Sequence, residues 1–237
     1  APRRGSAGAA RLAGQRVALV MGDRLMRILV LCDDYWHPAR TARTGLAPLE
    51  AHGFAFDWIE HASEWSAERM AEYPVVLWTK SNNVSAEDKT PWVTKNNQAA
   101  FQNYVRGGHG LLVIHSGLAE YRELPQVRGL MGGAFASHPP QCSVTIEPEP
   151  EHVLGAGIAP FTVFDEHYMI DLDDGGADVF LTTVSEHGRQ PGGWTRSAGA
   201  GRICVLSPGH NLEVWLHPSY QTLIHHALHW CDPSEVR

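Results

Sequence analysis

The sequence predicts an α/β protein built on a doubly wound, mainly parallel sheet. Three observations carry that prediction. From Met26 onward, short apolar runs alternate with segments of helical period. The runs MRILVLC and VVLWT lack the polar/apolar alternation of a half-exposed strand, as expected of strands covered on both faces. The stretch GGHGLLVIHSG at 107–117 has a glycine turn, a central apolar strand and an abrupt stop at His115 before two small residues. A buried parallel strand that delivers one side chain to a sharp strand-to-helix turn reads this way.

The elements follow in order. Residues 1–25 are rich in Ala, Gly and Arg and show no sustained period, so a loose extension is expected, with a basic transit peptide as the alternative. Residues 26–237 are expected to form one domain, the length of 237 residues suiting a single α/β unit. Strand one starts at Met26. Residues 41–52 read as a helix, 54–60 as a strand, and 63–73 as a helix opened by Ser63 with Ser66 close by. Residues 75–79 form a buried strand. Residues 92–106 read as a helix stopped by Gly107-Gly108, and 111–115 as the central strand. Beyond it, strands are expected at 142–146, 161–164, 179–184 and 202–206, joined by Gly/Pro-rich loops. A closing helix spans 218–231, with Pro218 in its first turn.

Composition bounds the partners. A net charge of −7 leaves no basic footprint for nucleic acid, and no apolar run is long enough to span a membrane. The four cysteines are scattered, with no CxxC pair, and read as buried free thiols of a reducing compartment, hence a cytoplasmic protein. The glycine pairs 107–108 and 132–133 have neither a GxGxxG pattern nor a P-loop lysine, so no nucleotide cofactor is expected. Fourteen histidines and eight tryptophans are the informative excess: imidazole moves protons and ligates metals, and aromatic faces can pack on sugar rings.

Ligands of an open parallel sheet bind at the carboxyl ends of its strands. Those positions carry Asp33-Asp34-Tyr35-Trp36-His37, then Lys80-Ser81-Asn82-Asn83, His115-Ser116-Gly117, Asp165-Glu166-His167-Tyr168 and Pro208-Gly209-His210, with the GGAFASHP loop at 132–139 beside them. His115, Glu166 and His210 are the candidate catalytic groups. Trp36, His37, Phe135, His138, Asp165, Tyr168 and Trp194 are the candidate substrate contacts. His115, His138 and His210 could hold a divalent metal, zinc first. Each has a plainer reading: Asp33, Asp34 and Asp165 as turn caps, Trp194 and Trp215 as core, Lys80 as a solvated cation. His225, His226 and His229 lack the glutamate of HExxH and read as packing. His115 itself is expected at an exposed strand end, where truncation should cost well under the ~2–5 kcal/mol of a core deletion; its plainer reading is a hydrogen bond to a neighbouring loop carbonyl from a crowded turn.

The succession GGHGLLVIHSG, GGAFASHP, FDEHY and GRICVLSPGHNLEVW resembles the trehalose-utilisation (ThuA-like) family from Met26 to Cys231. That family resembles the class I glutamine amidotransferases, whose flavodoxin-like sheet carries a cysteine elbow after the central strand and a partner histidine after a later one. His115 stands at the elbow here, and His210 keeps the histidine position. The resemblance therefore implies the fold and a role in sugar metabolism, while the missing cysteine removes glutaminase chemistry through a thioester.

Two functions follow as expectations. One is a hydrolase, lyase or isomerase acting on a glucoside or keto-glucoside through His/carboxylate proton transfer, with or without metal. The other is a carbohydrate or metabolite sensor without turnover. The expected partner is a small sugar, and a homo-oligomer is among the expected states.

Overall fold

The computed structural model describes residues 25–173 and 175–235. The expected extension over 1–25 thus lies outside the described residues, apart from Leu25. The elements in order are β1 (Met26–Leu31), α1 (Ala39–Leu46), β2 (Phe54–Ile59), α2 (Ala67–Ala71), β3 (Val75–Trp78), α3 (Gln98–Arg106), β4 (Gly110–Ile114), α4 (Pro125–Met131), β5 (Gly133–Ser137), β6 (Cys142–Pro148), β7 (Phe161–Asp165), β8 (Met169–Leu172), β9 (Asp178–Ser185), β10 (Gly188–Ala198), β11 (Gly201–Leu206), α5 (Leu212–Leu216) and α6 (Pro218–Cys231).

Nine strands form one sheet in the order β2-β1-β3-β4-β11-β10-β9-β6-β7. The first five are parallel and give the expected doubly wound, flavodoxin-like order, whereas β10, β9, β6 and β7 extend it by antiparallel pairing. Because β1, β3, β4 and β11 are covered on both faces, successive residues feed two separate cores. Ile28, Val30, Leu77, Leu112, Ile114 and Cys204 pack under α1, α5 and α6. Leu29, Leu31, Trp78, Leu111, Val113 and Ile203 pack under α2, α3 and α4. A second sheet, β5 paired antiparallel with β8, lies beside the loops at the carboxyl ends. Among the described residues, no helix is long and apolar enough to cross a membrane.

Several boundaries differ from expectation for local reasons. The helix foreseen at 63–73 is shorter: Trp65 is extended, and the Ser66 hydroxyl, not that of Ser63, caps α2 by accepting from Arg69 N. The helix foreseen at 92–106 starts only at Gln98. Before it, the Asn82 side chain clamps Val93 by its N–H and its carbonyl, and Asn97 Oδ1 accepts from Thr94 N. The Gly/Pro-rich stretch after β9 is strand β10 rather than loop. A Cβ on Gly192 would meet Thr183 Cγ2 at 2.6 Å, and one on Gly193 would meet Val205 O at 2.9 Å, so glycine is what lets this bulged strand sit between β9 and β11.

Candidate functional site

The carboxyl ends of β1, β4, β7 and β11 meet over one cavity of about 300 Å³. His37, Glu166, His210, Tyr168, Phe135 and His138 line it, with Glu120 and Trp36 on its walls.

His115 stands at the turn after β4, with a left-handed φ of 46°. A non-glycine residue there is uncommon, and the position is fixed by what surrounds it. Gly117 follows because a Cβ at that point would lie 2.2 Å from Trp78 O. The side chain is not exposed, as the sequence suggested; it is entirely buried. Its Nδ1–H donates to Ser207 O at 2.8 Å, and its ring stacks on Tyr168 with centroids 4.1 Å apart. It lies behind the cavity wall, against the lining residues Tyr168 and Glu166.

Glu166 Oε2 lies 3.4 Å from His115 Nε2 and 3.2 Å from His210 Nδ1. Neither nitrogen is aligned for a hydrogen bond, and both are buried without a partner; these are close contacts between a carboxylate and two imidazoles. Burial alone would raise the Glu166 carboxyl, but the imidazoles of His115 and His210 outweigh it and hold it well below the usual carboxylate range. Burial acts on His210 in the opposite sense to Glu166, and the carboxylate wins, so His210 is raised. For His115 burial dominates, and its pKa is lowered despite the nearby Glu166.

His37 completes the group. Its ring centroid is 5.0 Å from those of both His115 and His210. Asp34 orients it: Oδ1 accepts from His37 Nδ1 at 2.9 Å and from the N–H groups of Trp36 and His37, while Oδ2 accepts from Ser81 N. Burial would raise this carboxyl, but His37 and those N–H groups bring it down to about 2. Asp34 is therefore both a turn cap and the orienting partner of a histidine. Donor atoms of His37, His115, Glu166 and His210 all lie within 4.8 Å of one another.

The other candidates separate cleanly. Trp36, His37, Phe135, His138 and Tyr168 border the cavity. Trp194 does not: it is fully buried in the core and donates Nε1–H to Met131 O. Asp165 does not face a ligand either. Its carboxylate accepts from the backbone N–H groups of Gly209, His210 and Asn211 and fixes the loop that carries His210. His138, expected among metal ligands, is outside the four-residue group. It is exposed, its Nδ1 is engaged with Pro139 O, and its Nε2 lies 3.7 Å from Glu166 Oε1. His167 is tied to the hydroxyls of Ser185 and Thr183. Lys80 is not solvated. It is buried, and its ammonium donates to the carbonyls of Cys32, Asp33 and Glu60, pinning the ends of β1 and β2. His225 and His229 pack on Phe54, and His226 is engaged with Leu154 O. Sequence reasoning missed Glu120, a left-handed residue (φ 68°) whose carboxylate accepts from Asn83 Nδ2 at the cavity wall; no local pattern marks it.

The trehalose-utilisation (ThuA) family profile matches residues 27–231. No curated protein matches the chain. Among solved structures, a ThuA-like protein from Bacteroides uniformis is similar with a TM-score of 0.69 at 21% identity, covering 88% of this chain and 91% of that one. A ThuA-like protein from Parabacteroides merdae gives 0.70 at 14% identity, covering 90% and 92%. A cold-adapted β-galactosidase from Rahnella gives 0.62 at 14% identity, covering 86% of this chain and 31% of that one. At these identities the likeness is one of fold.

Proposed function

We propose that this chain, which belongs to the trehalose-utilisation (ThuA) family, is an enzyme that moves protons at a sugar, acting on a glucoside or keto-glucoside as a hydrolase, lyase or isomerase. One observation carries the reading: a carboxylate held between two histidines at the wall of an aromatic-lined cavity. Glu166, kept ionised, is the base. His210, partly exposed to the cavity, is the acid and returns the proton. The two groups have their pKa values pushed apart, the arrangement expected of an acid/base pair. His115 is a positioning residue that holds Glu166 from behind. About 300 Å³ is at the lower end of ligand pockets (~300–1,000 Å³), which suits one sugar ring inside and the remainder of a disaccharide toward Trp36 at the rim. Phe135 and Tyr168 offer the apolar wall that a pyranose face packs on.

A thioester mechanism has no support here. The elbow residue is a buried imidazole, and the four cysteines are all buried and free. The test is to incubate the protein with trehalose, glucose and their 3-keto forms and to follow products by mass spectrometry. Product formation that Glu166→Gln abolishes is the expected result. Saturable binding of a sugar with no product under any metal condition would replace the enzyme by a sugar-binding protein.

A further inference from the structure

Three ring nitrogens in this site, His37 Nε2, His115 Nε2 and His210 Nδ1, are buried and have no hydrogen-bond partner. That is an unusual concentration, because buried polar atoms are nearly always satisfied. The opposite nitrogens of two rings are already committed. His37 Nδ1 donates to the Asp34 carboxylate, and His115 Nδ1 donates to the Ser207 carbonyl. In its neutral form each ring then presents a bare lone pair at the second nitrogen, that of His115 lying 3.4 Å from Glu166 Oε2. Acceptors converge on acceptors.

Protons are a poor remedy. Three imidazolium ions with centroids 5.0–5.6 Å apart would face two carboxylates, Asp34 and Glu166, and His115 would carry its charge with no access to water. A dication satisfies all of the lone pairs at once. We propose that His37 Nε2, His115 Nε2, His210 Nδ1 and Glu166 Oε2 bind a divalent transition metal, zinc being the first expected occupant.

Spacing supports this. Donors about 2.0–2.1 Å from a tetrahedral zinc lie about 3.3–3.4 Å apart, and Glu166 Oε2 is 3.4 and 3.2 Å from the His115 and His210 nitrogens. The full set stays within 4.8 Å. Imidazole donors select transition metals over magnesium or calcium. The outer partners Asp34 and Ser207 O fix tautomer and ring orientation, as the supporting groups of metal-bound histidines do. The site stands on these contacts; only the metal's task rests on the sugar-processing reading: in the loaded site it would take over the electrophilic part given above to protonated His210, polarising a sugar oxygen, while Glu166 keeps Oε1 free as the base.

The experiment uses the full chain without a His tag, stripped with chelator and dialysed. Cobalt(II) and then zinc(II) are titrated, with visible absorption and calorimetry as readouts. The expected result is one equivalent bound, with the intense visible bands of low-coordinate cobalt. Asp34→Asn should weaken binding about 10- to 100-fold, His37→Ala by more, and His138→Ala should leave the affinity unchanged, each variant being checked for folding by circular dichroism. No saturable binding by the wild-type chain overturns the proposal. So does His37→Ala binding as tightly as wild type, or His138→Ala weakening binding as much as His37→Ala. Sugar turnover is scored separately. Turnover by stripped protein that binds no metal removes the metal site and leaves the sugar reading standing. One bound metal with neither turnover nor sugar binding does the reverse.

Discussion

Replacing His115 by alanine tests both its burial and its backbone. Truncation removes the donor to Ser207 O, leaving a buried carbonyl unpaired at about 1–3 kcal/mol, and ends the stack on Tyr168, about 0.5–1.5 kcal/mol. It also leaves a void where a fully buried ring stood. Removing an orphaned nitrogen next to Glu166 offsets part of this. The expected net loss is about 2–4 kcal/mol, or roughly 5–15 °C in Tm for a chain of this size. Glycine at the same site makes the same deletion but relaxes the left-handed backbone. That relief of about 1–2 kcal/mol is reduced by about 0.5–1 kcal/mol for the freer unfolded chain. His115→Gly should therefore be more stable than His115→Ala by about 0.5–1 kcal/mol. Urea unfolding of chelator-stripped protein measures both without a bound ligand's contribution. An alanine variant within about 0.5 kcal/mol of wild type would refute the burial, and alanine matching or exceeding glycine would refute the left-handed turn.

Lys80→Met strips three carbonyl oxygens of their donor and should cost about 3 kcal/mol or more in denaturant unfolding, against under about 0.5 kcal/mol for an exposed lysine. Gly117→Ala drives a methyl group onto Trp78 O and should lower the yield of folded protein or shift its melting temperature by many degrees. None of the four cysteines should react with a chromogenic disulfide reagent near pH 8 until the chain is unfolded, since all are buried and burial pushes Cys32 and Cys231 up to about 12. Trp36→Ala should leave the melting temperature unchanged while weakening sugar binding, because this ring is more than half exposed at the cavity rim.

The parallel half of the fold was readable because burial on both faces writes an unbroken apolar run, as in β1, β3 and β4. Helix α6 was readable because Pro218 marks its start. β10 was not, since Gly192 and Gly193 answer to the strands packed on either side of them and locally look like a loop. In the site, the order of motifs placed His115, Glu166 and His210 at one end of the sheet. Position along a strand does not reveal which way a side chain turns. Hence His115 proved to lie behind the wall, Trp194 in the core, and Asp165 under the His210 loop. Lys80 read as a surface cation because its three acceptors are backbone oxygens, which leave no mark in sequence.

Asp165 carries a consequence beyond its hydrogen bonds. It ends β7, which stands four places from β11 in the sheet, about 19 Å away if the strands lay flat at about 4.8 Å spacing. Yet its carboxylate grips Gly209 N, just past the end of β11, at 2.8 Å. The antiparallel flank must therefore curl over the parallel half, and Glu166 hangs from the rim of that curl. The gap between carboxylate and imidazole is set by curvature. A flatter flank would stand Glu166 farther from His115, so the pairing of the outermost strands is part of what holds the site together. A ligand bridging Glu166 and His210 would brace that bend, and amide exchange along β6 and β7 would slow although nothing touches those strands.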